Sequence, residues 1–154
     1  MDATVFDIAK YILSKTGEIT CLKLQKLVYY TQAWSLVWDE KPLFRSRIEA
    51  WVGGPVVAEL YAKHRGHFTV NESDIQGDVK NITTNQLDSI DAVLATYSDK
   101  TGQWLSDLTH MEKPWLEARA GISQSERGNK EITLVSMGEY YSELKQKVIA
   151  LGLE

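Results

Sequence analysis

On residue type alone, His110 is the side chain best suited to move a proton. It stands in Leu108-Thr109-His110, between two predicted helices and close to Glu112, which is the setting of a general base. A histidine that only satisfies turn carbonyls has the same setting. His64 and His67 are three residues apart, with Glu59 and Glu72 nearby, and a metal would need them on one helical face. Gly66 between them predicts that the helix stops there, leaving two solvated histidines at its end. Cys21 is the single cysteine, so neither an internal disulfide nor a cysteine metal cage is available. A thiol at a helix start can be activated; inside an apolar helix it is a small buried hydrophobe. Gly53-Gly54-Pro55 has the glycines of a phosphate cradle but lacks the Lys-Ser/Thr tail, and Pro55 removes one N–H donor. A strand-to-helix turn explains it better. Lys23, Lys26, Tyr30, Arg45 and Arg47 could touch nucleic acid or could line a solvated face. No Gly-x-Ser-x-Gly elbow and no Cys/His pair occurs. The expectation is a protein without catalytic residues, metal or cofactor.

The element expected to position most of these residues is a helix from Cys21 to about Trp38, capped by Thr20. At 100° per residue it is apolar on nearly every side, interrupted only by Lys23, Gln25, Lys26 and Gln32. Such a helix belongs at the centre of a domain. Before it, Val5, Ile8, Ala9, Ile12 and Leu13 mark a helix capped by Thr4, without a capping box, and ended by Gly17. After it, Pro42 breaks the helical pattern. Leu43-Phe44 and Ile48 to Val52 read as two short strands joined by Arg45-Ser46-Arg47. Pro55 then suits the first position of a third helix, striped by Val56, Val57, Leu60 and Tyr61. Residues 68–82 read as a mobile polar connection, with a further short strand around Phe68 to Val70. Thr83 with Gln86 boxes a fourth helix. Shorter helices follow over Thr101 to Leu108 and from Pro114 to Ala120, and Ser136 with Glu139 opens a terminal helix to about Ala150. The fold class is mainly α (α+β): one compact helical domain over residues 1–154, around the central helix, with a two- or three-stranded β element near residues 43–52.

Composition agrees with a packed domain. Of 154 residues, 44 % are hydrophobic, and five Trp and seven Tyr supply much of the buried area. The net charge is −4, which argues against a nucleic-acid binder, whose footprint is a basic face. Acid is concentrated in residues 67–108, which hold two Lys/Arg against seven Asp/Glu. The start, MDATVFDIAK, shows no secretory signal, and no stretch approaches the ~20 apolar residues of a membrane span. A cytoplasmic location is expected. The five Trp are expected in the core, with one or two as exposed anchors for a partner.

Three segments resemble one family. Lys23-Leu24-Gln25-Lys26-Leu27-Val28-Tyr29-Tyr30 with Ala33-Trp34 is similar to its central helix. Pro42-Leu43-Phe44, Glu49-Ala50-Trp51 and Gly54-Pro55-Val56-Val57 with Tyr61 resemble its second block, and Leu108-Thr109-His110 with Pro114-Trp115 its third. The family is the Panacea domain, or SocA-like phage-associated antitoxins, and the resemblance runs from about residue 5 to 145. Gly53 and Ala58 depart from it, where the family often has an aromatic or polar residue and a proline. The resemblance implies a bacterial or prophage antitoxin that neutralises, by direct binding, a cognate toxin encoded beside it. It implies as an alternative a proteolytic adaptor that delivers the toxin to an AAA+ protease. Neither role asks for a catalytic residue; an enzyme using His110 is the contrasting class. Expected partner contacts are Trp51, Gly54, Pro55, Val56 and Tyr61 around the glycine turn, and Thr109, His110 and Trp115 in the third block. The alternative for each is packing or turn geometry.

Overall fold

In the computed structural model, which describes residues 2–152, helices surround one buried helix. The first helix, α1 (Val5–Thr16), begins at Thr4, whose hydroxyl accepts from the Asp7 N–H while the Asp7 carboxylate accepts from the Thr4 N–H. A capping box therefore exists after all, because Asp7 does what Glu or Gln usually does. Gly17 ends the helix at φ 74°, a conformation that costs glycine nothing. The short β1 (Ile19–Thr20) leads into the central helix, α2 (Cys21–Trp38), with Thr20 as cap. Leu24, Leu27, Val28, Tyr29, Tyr30 and Ala33 are all buried. Around α2 pack α1, α4 (Thr84–Tyr97), α5 (Gly102–His110) and α7 (Leu134–Ala150).

The polar residues of α2 replace strand pairing. Gln32 accepts from the Leu43 N–H at 2.7 Å and donates to the Phe44 carbonyl at 2.9 Å. A side-chain amide thus offers the donor and acceptor that a neighbouring strand would. The expected strand at Leu43-Phe44 is corrected for that reason: the pair is buried against α2 and joins no sheet. The real hairpin lies one step later, between β2 (Ile48–Trp51) and β3 (Gly54–Val57), with Ala50 opposite Pro55 and Trp51 opposite Gly54. Pro55 therefore does not open a helix. It sits in an edge strand, where a missing N–H is tolerated, and α3 (Ala58–His64) starts three residues later.

Residues 68–82, expected to be a mobile connection, are instead tied down. Their first part, β4 (Thr69–Val70), pairs with β1. Two 3-10 turns follow, at Glu72–Asp74 and Val79–Asn81, and Ile75 and Ile82 enter the core. Asp7 accepts from the Asp78 N–H at 2.7 Å and from Asn81 at 3.2 Å. The capping box of Thr83 and Gln86 opens α4 as its spacing predicts. After α5 come α6 (Lys113–Ala118), an irregular loop, and β5 (Glu131–Ile132), which pairs with β2 on the side away from β3. The cap of α7 is Thr133, not Ser136, and the Ser136 hydroxyl is buried without a hydrogen-bond partner.

Candidate functional site

The two sequence blocks expected to meet a partner are clasped to each other. Three successive carbonyls at the tip of the β2–β3 hairpin face three side chains of α5 and α6. Trp115 Nε1 donates to the Trp51 carbonyl at 2.8 Å, His110 Nε2 lies 2.6 Å from the Val52 carbonyl, and Ser106 Oγ donates to the Gly53 carbonyl at 2.6 Å. His110 Nδ1 lies 2.6 Å from the Ser106 carbonyl. Both ring nitrogens thus face acceptors, and a ring with one N–H serves one carbonyl while a doubly protonated ring serves both. The ring also packs on Trp115, with centroids 4.1 Å apart. Glu112 turns the other way, into the core, where the hydroxyls of Tyr30 and Tyr141 each donate to Oε1 at 2.7 Å. His110 and Glu112 therefore form no acid–base pair. Burial raises the Glu112 pKa against the pull of those two hydrogen bonds.

Beneath the hairpin lies a buried polar layer. Gln25 accepts from the Val57 N–H at 2.9 Å and donates to the Val57 carbonyl at 3.3 Å. Its Nε2 is 3.0 Å from His64 Nε2. Because Gln25 Oε1 is fixed on a donor, its amide nitrogen faces the ring, so His64 Nε2 accepts and the proton sits on Nδ1. His64 is buried rather than solvated, and burial lowers its pKa. Lys26 is also corrected: it has 0 % exposure. Its ammonium donates to the Pro55 carbonyl at 3.1 Å, and burial alone brings its pKa down to about 7. Among the described residues, no carboxylate lies within ion-pair distance of it. Gly54, at φ 119°, roofs this layer: a Cβ there would stand 2.6 Å from Lys26 Cε and 2.9 Å from Thr109 Oγ1.

The outer surface is aromatic and cationic. The Trp51 and Tyr61 rings meet edge to face at 4.9 Å. Arg127 lies 3.6 Å above the Trp51 ring and 5.6 Å from the Tyr61 ring, a cation–π arrangement. Its position depends on Arg119, a buried guanidinium that donates to the carbonyls of Ala50, Ser123, Glu126 and Arg127. The planar fork of one side chain thereby folds the loop and ties it to β2.

Of the expected contact residues, Trp51, Tyr61, His110 and Trp115 are half-buried and reach the surface. Gly54, Pro55, Val56 and Thr109 are buried and shape it from below. Cys21 is buried, its thiol donating to the His67 carbonyl at 3.3 Å, and burial raises its pKa. The proposed nucleic-acid contacts disperse: Tyr30 is in the core, Lys23 reaches the Ser98 carbonyl, and Arg45 and Arg47 pair with Asp2 and Glu49. Sequence reasoning missed Arg119 and Arg127, for which no local pattern gave a signal. For Lys26 there was one: a helix apolar on all sides also buries the polar residues that interrupt it.

A family profile described as "Antitoxin SocA-like, Panacea domain" matches residues 24–116. That stretch runs from α2 through most of α6 and contains every donor and acceptor of the hairpin clasp. Comparison with curated proteins and with solved structures gave no match.

Proposed function

We propose, since this chain belongs to the SocA-like antitoxin family of Panacea domains, that it is a bacterial or prophage antitoxin that acts in the cytoplasm and neutralises a cognate toxin by binding it directly. The observation that carries this is the family match over residues 24–116. The Trp51–Tyr61–Arg127 surface supports the mode of action. Trp, Tyr and Arg are the residues that dominate protein interfaces, and here they are held in place by the hairpin clasp and by Arg119. A surface ordered before contact loses little freedom on binding. Binding also uses no catalytic group, in keeping with a His110 whose ring nitrogens both face backbone carbonyls.

Co-expression with the product of the adjacent reading frame tests this. Growth should be restored, and the two proteins should co-purify with the toxin's half-life unchanged. Arg127→Glu should leave the melting temperature within about 2 °C of the parent, as exposed substitutions do, and weaken toxin binding roughly tenfold or more. Toxicity that persists beside a well-folded partner would sink the antitoxin role. A shortened toxin half-life would replace sequestration by delivery to an AAA+ protease.

A further inference from the structure

A cleft of about 290 Å³ opens between the start of α2, the hairpin and α3. Its walls include Leu22, Trp51, Val56 and Tyr61, and Lys26 lies at its floor. The size is at the lower end for small-molecule sites, which run from about 300 Å³ upward. Its charge is unlike that of the chain as a whole. No Asp or Glu lines it, whereas Lys26, Arg65 and two histidines do, in a protein of net charge −4.

Lys26 gives the cleft its chemistry. An ammonium has three N–H donors, and the Pro55 carbonyl takes one. Gly54 closes the side toward the hairpin, leaving no room even for a Cβ. A buried cation without a counter-charge is costly, and an anion entering from the cleft would both neutralise it and use its spare donors. Beside Gln25, Arg65 and the two histidines, the walls carry an apolar and aromatic face of Leu22, Val56, Trp51 and Tyr61, the two rings meeting edge to face. A flat carboxylate suits the one ammonium at the floor, and Leu22, Trp51, Val56 and Tyr61 suit an apolar or aromatic body.

We propose that this cleft binds a small carboxylate carried on an apolar or aromatic body, with Lys26 pairing the carboxylate and Trp51 and Tyr61 holding the body. The cleft shares Trp51 and Tyr61 with the surface proposed to meet a toxin, but the proposal does not rest on that role and needs no toxin for its test.

The full chain, labelled with nitrogen-15, would be titrated with phenylacetate, with its uncharged isostere phenylacetamide, and with inorganic phosphate. Saturable shifts are expected at the Trp51 indole and the Val56 and Tyr61 amides. Phenylacetate should bind at least about tenfold tighter than the amide, and Lys26→Met should abolish that difference. Tyr61→Ala, which leaves Lys26 in place and supplies a test even if Lys26→Met folds poorly, should weaken acid and amide alike. No saturable shift, equal affinity for acid and amide, tighter binding of phosphate, or a Lys26→Met protein that keeps the preference would each overturn the proposal. So would a Tyr61→Ala protein with undiminished affinity.

Discussion

Burying Lys26 costs the folded state stability wherever the lysine of the unfolded chain is charged. Its pKa falls from 10.5 to about 7 on burial. Between those values the unfolded chain holds a proton that the folded chain has released, so the penalty shrinks as pH rises through this window and is complete below it. Lys26→Met should therefore stabilise the protein near pH 6 by up to roughly 5 kcal/mol. The gain should fade toward about pH 10 as the unfolded lysine loses its own proton. Urea midpoints across the range would check this; a gain independent of pH would exclude the lysine's ionisation as its source. Gly54 acts on the same spot. Its φ is 119°, and a methyl group on its Cα would come within 2.6 Å of Lys26 Cε, so alanine has no room there. Gly54→Ala should cost about 2–4 kcal/mol through strain and overpacking, read as a lower melting temperature. A near-neutral result would contradict the strain attributed to this position.

The loop between α6 and β5 has almost no apolar content to hold it, and Arg119 supplies the order instead through hydrogen bonds to four carbonyls. Hydrogen bonds from a charged donor contribute more than neutral ones. Arg119→Ala should expose the loop to hydrogen exchange, loosen the bond from the Ala50 N–H to the Lys130 carbonyl, and free Arg127 from the Trp51 ring. The expected cost is roughly 2–4 kcal/mol, with a change in tryptophan fluorescence. Arg119→Lys should not rescue it, because a point charge cannot reach carbonyls that a planar fork spans. Unchanged exchange at Ala50 in either variant would show that the loop is held by something else.

Between the helices of the domain, a tyrosine cluster does the joining. Tyr29 and Tyr30 of α2 meet Tyr141 of α7, Tyr30 stacks on Tyr97 of α4 at 4.4 Å, and Glu112 bonds Tyr30 and Tyr141 between α5 and α6. Burial raises the Glu112 pKa above its ordinary 4.5. The folded state thus takes up this proton more readily than the unfolded chain, and the stability so contributed is present in acid and lost as pH rises through the folded value. Glu112→Gln keeps an acceptor for both tyrosines and removes the buried charge. It should be the more stable form near neutrality, with the two denaturation midpoints converging as pH falls below 4.5. A gap that widened in acid would reverse the sign assigned to this group.

Local chemistry is enough to place much of this fold. Thr20 and the apolar run put α2 where it is, Gly17 ends α1, and Thr83 with Gln86 starts α4. The same local signals misplaced Pro55, because a proline after two glycines looks alike before a helix and in an edge strand. Leu43-Phe44 has the composition of a strand, yet Gln32 takes its backbone groups. Those outcomes depend on partners far along the chain: Lys26 and the Pro55 carbonyl are 29 residues apart, and Trp115 and the Trp51 carbonyl 64. Which polar groups lost their water, and which backbone groups replaced it, was settled when distant segments packed together. The cleft floored by Lys26 and the Arg127 surface both came from that choice.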